Sequence, residues 1–159
     1  MFSEQKMFKL REDIRVFADE NKTQEVLQIK ARQIIDFSAA YDVIDSAYNQ
    51  KVGTLRRKGM RSILRDEWEV LDNNDQVIGK LFEDSPGLAM LRRLLLGSLL
   101  PQNYDITVRE QRVADLKQRF NLFRYELDVD FSFDPAKTLD RRVGLAAGIL
   151  LAAIEGRQS

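Results

Sequence analysis

The chain has 159 residues and contains neither cysteine nor histidine. The absence of cysteine excludes disulfides, thiolate nucleophiles, zinc ribbons and cysteine-ligated iron–sulfur clusters. The absence of histidine excludes imidazole metal ligands and catalytic triads built on histidine. Any catalysis or metal binding would therefore depend on carboxylates, amines and hydroxyls.

An excess of charge of one sign is also missing, because 25 Lys and Arg balance 25 Asp and Glu. Attraction to nucleic acid or anionic lipid would have to come from a local patch rather than from the net charge. A content of 44% apolar and 31% charged residues is typical of a soluble globular protein. Since no linker or low-complexity tract divides the chain, we expect a single domain over residues 1–159.

Long hydrophobic runs are absent as well. The apolar stretch at residues 87–100 is interrupted by Arg92 and Arg93, and the stretch at residues 143–154 is too short to supply the roughly 20 residues that cross a bilayer. The N-terminus has no apolar core typical of a secretory signal. We therefore expect a cytoplasmic protein with no transmembrane span, or one that is peripheral at the membrane.

A repeated pattern is the most informative feature that is present. Residues 41–45 (YDVID) and 68–72 (WEVLD) share the order aromatic, acidic, valine, aliphatic, aspartate, and each is followed by a polar turn and a second apolar run. A looser copy covers residues 14–29. Alternating apolar residues on both sides of an Asp/Asn-rich connection predict β-hairpins. The aspartates predicted to start the turns are Asp19, Asp45 and Asp72.

Further strands are predicted at residues 104–110, 113–120 and 122–133, the last from sustained alternation of apolar and polar side chains. Two helices are predicted, one at residues 86–99 and one at residues 135–155.

The second helix is apolar on every face over residues 143–154, so it should be enclosed by protein. Gly144 and Gly148 would let neighbouring backbone approach it closely. One-sided hairpins need something to cover, and an apolar helix needs something around it. We therefore predict a mainly β fold with two helices, in which a closed or nearly closed antiparallel barrel surrounds the C-terminal helix.

The two best hairpin copies, the Arg56-Arg57-Lys58 segment after the first copy and the terminal glycine- and alanine-rich helix resemble the tubby C-terminal-like superfamily over residues 6–156. Within it, the LURP-one-related proteins and the phospholipid scramblases are the closer likeness. The resemblance implies a barrel of about twelve strands around a central hydrophobic helix. Tubby domains bind phosphoinositide headgroups through basic side chains, whereas many LURP-one-related proteins have no established activity. The chain lacks the cysteine-rich palmitoylation segment of scramblases, and no phosphoinositide-binding motif matches it residue by residue.

The main candidate site is a cationic segment between the two best hairpin copies, which we name the basic connection. It consists of Arg56, Arg57, Lys58, Arg61 and Arg65. Such a cluster can hold phosphate by charge-assisted hydrogen bonds, so it predicts a site for an anion such as a phospholipid headgroup or a nucleotide. The alternative is a solvated connection whose cations pair with the acidic side chains at positions 66, 67 and 69.

Three weaker candidates each have a structural alternative. Arg92 and Arg93 could place a helix on a membrane surface, or could sit at the exposed edge of a packed helix. Residues 72–76 with Glu83 partly match a calcium loop but are better explained as a hairpin turn. Asp128 and Asp130 could share a cation, or could form the outward face of a strand.

Aromatic residues could also suggest a platform for stacking nucleic-acid bases. Tyr41 and Trp68 occupy matching repeat positions, and aromatics recur along residues 123–133. Core packing explains them better, and the zero net charge argues against a nucleic-acid partner.

No nucleophile elbow, P-loop or dinucleotide glycine fingerprint is present, so we predict no catalytic residue, no cofactor and no metal site. The sequence leaves three hypotheses for function. The first is a non-enzymatic domain that binds an anionic ligand through the basic connection. The second is a structural or protein-interaction domain with a protein partner and no small-molecule site. The third is an enzyme that uses carboxylates alone.

Overall fold

The computed structural model describes residues 2–5, 13–32, 39–57, 67–84, 102–119 and 126–155. Within these residues the alternation of apolar and polar side chains produces ten strands, followed by one helix. The strands are β1 (Phe2–Gln5), β2 (Ile14–Phe17), β3 (Glu25–Ala31), β4 (Ala40–Asp45), β5 (Gln50–Arg57), β6 (Glu67–Leu71), β7 (Val77–Glu83), β8 (Asn103–Val108), β9 (Gln111–Arg119) and β10 (Glu126–Asp130), and the helix is α1 (Arg141–Glu155).

Each strand pairs antiparallel with the next strand along the chain, which gives one sheet in the order β1 to β10. The three predicted hairpins are confirmed as β2–β3, β4–β5 and β6–β7. The later predicted strands correspond to β8, β9 and β10, although β10 ends at Asp130. It ends there because the Asp130 carboxylate accepts the backbone N–H of Ser132 at 2.8 Å and starts a turn.

The hairpin repeat includes a β-bulge that the sequence pattern did not reveal. The pairing register shifts by one residue near the turn of each of four hairpins. The extra residues are Val26, Val52, Ile78 and Val113. The fourth hairpin, β8–β9, is a copy that the sequence analysis missed, although Tyr104-Asp105-Ile106 repeats the order aromatic, acidic, aliphatic. Bulges increase strand twist and therefore help this long sheet to curve.

Helix α1 lies against the inner face of the curved sheet. A Cβ atom added to Gly53 on β5 would lie 2.7 Å from Val143 Cγ2 on the helix. A Cβ atom added to Gly148 would lie 3.2 Å from Val129 Cγ2 on β10. Since the helix contacts strands that are far apart in the sheet order, the sheet must bend around it. Gly144, whose added Cβ would lie 2.4 Å from Phe131, completes the close packing predicted for the helix glycines.

The helix departs from its prediction in two respects. It begins at Arg141 rather than near residue 135, because the Asp134 carboxylate accepts the N–H groups of Thr138 and Leu139 at 2.8 and 3.0 Å and holds a turn there. It is also buried to different extents around its circumference. Its buried residues are Val143, Gly144, Ala146, Ala147, Gly148, Leu150 and Leu151. Leu145 and Ile149 form a half-buried stripe on the other side.

The predicted closed barrel of about twelve strands with two helices is not supported by the residues that the structure describes. These residues form ten strands and one helix, and no pairing among them joins β1 to β10. Alternation predicts each strand and its inner face, but it does not determine whether the first and last strands meet. The first predicted helix, at residues 86–99, lies outside the described residues, as do Arg92 and Arg93. No described helix combines the length and the apolar character needed to cross a membrane.

Candidate functional site

The described part of the basic connection is the end of β5. Arg56 lies opposite Glu69 in the pairing of β5 with β6, and its Nε and Nη2 atoms lie 2.7 and 2.5 Å from Glu69 Oε2. This contact confirms one of the ion pairs expected if the connection is solvated. Glu67 instead lies 3.4 Å from Lys80 on β7. Lys58, Arg61 and Arg65 lie outside the described residues.

Arg57 occupies a different environment from Arg56. Its guanidinium carbon lies 6.0 Å from the centroid of the Trp68 ring, at the outer limit of a cation–π contact. Trp68 is buried and lies 6.0 Å from the ring of Tyr41, so the two matching aromatics of the repeat pack together in the core. This packing confirms the structural interpretation of both aromatics. The packing against Tyr41 also fixes the position of the Trp68 ring, over which the Arg57 guanidinium lies.

The turn aspartates act as predicted. Asp19 accepts hydrogen bonds from the Thr23 hydroxyl and amide, which lower the pKa of this carboxyl. Asp45 accepts the N–H of Ala47 at 2.8 Å. Asp72 accepts the N–H groups of Asn74 and Gln76 at 2.8 and 2.9 Å. Because the turn uses the Asp72 carboxylate, the hairpin interpretation of residues 72–76 is confirmed over the calcium loop.

The two aspartates of β10 do not converge on a shared cation. Asp128 lies 2.5 Å from Arg119 Nε across the β9–β10 pair, whereas Asp130 bonds to Ser132. In the part of the chain that the structure describes, no three acidic side chains are grouped so that they could hold a metal ion.

A charged network on the outer face of the sheet was not predicted from the sequence. Arg32 Nη2, just after β3, lies 2.7 Å from Asp42 on β4 and 2.6 Å from Asp75 in the β6–β7 turn. Lys51 Nζ on β5 also lies 2.9 Å from Asp75. Hydrogen bonds from Lys51 and Arg32 lower the pKa of Asp75 to about 2. The buried hydroxyl of Thr54, 2.8 Å from Asp42 Oδ1, completes the network. Because this network joins residues that are far apart in the sequence, it could be found only from the pairing register.

A cavity of about 330 Å³ lies at the end of the sheet where the β4–β5 and β6–β7 turns meet the start of α1. We name it the turn-end cavity. Its lining is Gln50, Lys51, Val52, Leu71, Asp72, Asn73, Ile78, Thr138, Leu139, Asp140, Arg142 and Val143. The bulge residues of both hairpins, Val52 and Ile78, are part of this lining, so the bulges help to shape it. The two cations of its lining are already paired, because Arg142 contacts Asp45 and Asp140 while Lys51 contacts Asp75.

Comparison with known proteins identifies a family. The family model described as LURP-one-related matches residues 1–139, which include all ten strands and end just before α1. Searches of curated proteins and of solved structures give no match.

Proposed function

Because the chain belongs to the LURP-one-related family, which is part of the tubby-like superfamily, we propose that it is a non-enzymatic binding domain for an anionic ligand. The ligand class is a phosphate-bearing molecule such as a phospholipid headgroup. The observation that carries the proposal is the basic connection, in which five cations occur within residues 56–65.

The balance of charge in this segment supports the proposal. Over residues 56–69 the five cations outnumber the three acidic side chains, so a positive excess remains after pairs such as Arg56 with Glu69 are counted. Arginine can bind phosphate with two parallel hydrogen bonds, which gives geometric specificity as well as charge. Because the whole chain has zero net charge, this attraction would come from the basic connection itself rather than from the overall charge.

The arrangement of the two described arginines also supports binding. Arg56 and Arg57 end a strand that is paired on both sides, and each guanidinium contacts a side chain of β6. A cation held on a rigid element loses less side-chain entropy when it binds a ligand than one on a free chain. This part of a site would therefore be largely formed before the ligand arrives.

Vesicle co-sedimentation tests the proposal. We expect the protein to sediment with phosphatidylcholine vesicles that contain phosphatidylserine, and less so as salt increases, because salt screens exposed charges. Arg57→Glu should weaken this binding by about thirtyfold, since each unit of charge near an anionic surface contributes about 1 kcal/mol and the reversal changes the charge by two units.

The matched control is Arg109→Glu, which makes the same change of charge in the exposed β8–β9 turn at the opposite end of the sheet. It should leave binding nearly unchanged. Absence of binding at low salt, or equal loss in both variants, would contradict the proposal.

Protein binding at the opposite end of the sheet is a second candidate function. Tyr48 is 80% exposed and Val77 is 51% exposed, and they lie on the neighbouring β4–β5 and β6–β7 hairpins beside the turn-end cavity. Exposed aromatic side chains such as tyrosine are enriched where proteins contact their partners. If the protein does not bind vesicles, protein binding through the surface around Tyr48 and Val77 becomes the favoured function.

A further inference from the structure

Two aspartates face each other across the β8–β9 pair. Asp105 on β8 and Asp115 on β9 are direct partners in the pairing register, so their side chains leave the same face of the sheet. Directly opposite residues in an antiparallel pair have Cβ atoms about 4.5–5.5 Å apart, and like charges at this position are destabilising. Asp115 is only 2% exposed, so water does little to screen the repulsion.

The two carboxylates compete for one guanidinium group. Arg112 Nη2 lies 2.6 Å from Asp105 Oδ1 and 3.1 Å from Asp115 Oδ1. Neither of these two buried oxygens accepts a hydrogen bond of good geometry from the described residues. Lys117 Nζ contacts the other oxygen of Asp115 at 2.6 Å. The ring of Phe133 lies 4.5 Å from the Arg112 guanidinium carbon and limits its freedom to reorient.

Two further aspartates lie close to the pair. Asp130 on β10 is the register partner of Asp115, and Asp84, just after β7, acts on Asp105. Hydrogen bonds from Ser132 lower the pKa of Asp130, so Asp130 stays ionised near neutral pH. The cation of β7, Lys80, pairs with Glu67 of β6. Among the described residues, the cations that contact the carboxylates of Asp105 and Asp115 are Arg112 and Lys117.

We propose that Asp105 and Asp115 form a proton-binding site that regulates the stability of the β8–β9 hairpin. Uptake of one proton forms an O–H bond on one carboxyl group and leaves the other carboxylate to accept the guanidinium of Arg112. The repulsion between the strands is then removed and no further ion is needed. Since the two carboxyl groups face each other, protonation of one changes the charge that the other faces.

The way in which stability depends on pH follows from the direction in which the pKa of Asp105 is shifted. Burial, with additional repulsion from Asp84 and Asp115, raises the pKa of Asp105 above its ordinary value of 3.8. A carboxyl with a raised pKa in the folded state binds its proton more tightly there than in the unfolded chain. Its ionisation therefore costs stability at neutral pH, and this cost is removed as the pH falls through the folded pKa toward 3.8.

An NMR titration of the side-chain carboxyl carbons in the full chain tests the site directly. We expect the pKa of the Asp105 carboxyl to lie above its ordinary value of 3.8. If the Asp105 carboxyl titrates at or below 3.8, the proposal is wrong.

The variant Asp105→Asn gives an independent test, because it keeps the side-chain shape and removes the charge. We expect its thermal midpoint at neutral pH to exceed that of the wild-type protein by about 2–4 °C, with the difference shrinking as the pH is lowered. The control is Asp128→Asn on β10, whose carboxylate pairs with a single arginine, Arg119, and should give no increase. An unchanged or lower midpoint for Asp105→Asn at neutral pH would overturn the proposal.

Discussion

Single residues of this protein differ in how far the sequence alone reveals their role. The turn aspartates Asp19, Asp45 and Asp72 could be predicted, because their partners are backbone amides a few positions further along the chain. The pairing of Arg56 with a nearby glutamate could be predicted for the same reason. Asp75 could not, because its partners Arg32 and Lys51 come from two other strands.

Asp75 gives a prediction at the scale of one residue. Its folded-state pKa of about 2 lies below the ordinary 3.8, so its contribution to stability is present above pH 3.8 and is lost as the pH falls through 2. Because the side chain is 43% exposed, solvent screening limits this contribution. Asp75→Asn should therefore lower the free energy of unfolding by about 0.5–1 kcal/mol at neutral pH.

Urea unfolding of the wild-type protein and Asp75→Asn at several pH values measures the effect. The difference should be nearly constant from neutral pH down to about pH 4 and should vanish below pH 2, where the wild-type carboxyl is protonated as well. A full difference that persisted below pH 2 would show that the ion pairs of Arg32 and Lys51 are not its cause.

At the scale of secondary-structure elements, the hairpins were predictable and the start of the helix was not. Period-2 alternation fixes the inner face of each strand, as buried Tyr41, Val43 and Leu55 show. The helix start was placed too early because Asp134-Pro135 has the composition of a helix start. In the structure the carboxylate of Asp134 instead holds a turn, and Asp140 precedes the helix.

Asp140 is therefore predicted to be the N-cap of α1. Its Oδ1 atom accepts the N–H of Arg142 at 2.9 Å, and its carbonyl oxygen accepts the N–H of Val143 at 3.0 Å. Asp140→Ala should lower the free energy of unfolding by about 0.5–2 kcal/mol, as measured by chemical denaturation. Asp140→Asn, which retains an oxygen acceptor, should lose much less. Equal losses would assign the effect to the ion pair with Arg142 rather than to the cap.

At the scale of the whole molecule, the residues predicted a sheet that covers an apolar helix, and the structure agrees. Gly53 against Val143 and Gly148 against Val129 show the helix in contact with both halves of the sheet. The predicted closure is absent from the described strands because pairing between β1 and β10 depends on the curvature of the whole sheet. Local alternation does not contain that information.

The acidic pair on β8 and β9 could not be predicted from the sequence for a related reason, since Asp105 and Asp115 become neighbours only in the observed pairing register.

The two ends of the sheet have different characters that follow from its topology. The short hairpin turns and the turn-end cavity lie at one end, where the charges are paired and Tyr48 is exposed. The strand that leads into the basic connection ends at the opposite end, at Arg57. An anionic ligand bound by the basic connection, as we propose, should therefore be recognised far from the cavity.

An NMR titration of the ¹⁵N-labelled protein with a soluble inositol phosphate tests whether the ligand binds at the basic connection rather than at the turn end. Binding through the basic connection predicts the largest shifts at the amides of Arg56 and Arg57 and at the indole N–H of Trp68, and little change in the turn at Arg109. Shifts confined to the turn end, or no shifts at low salt, would contradict it.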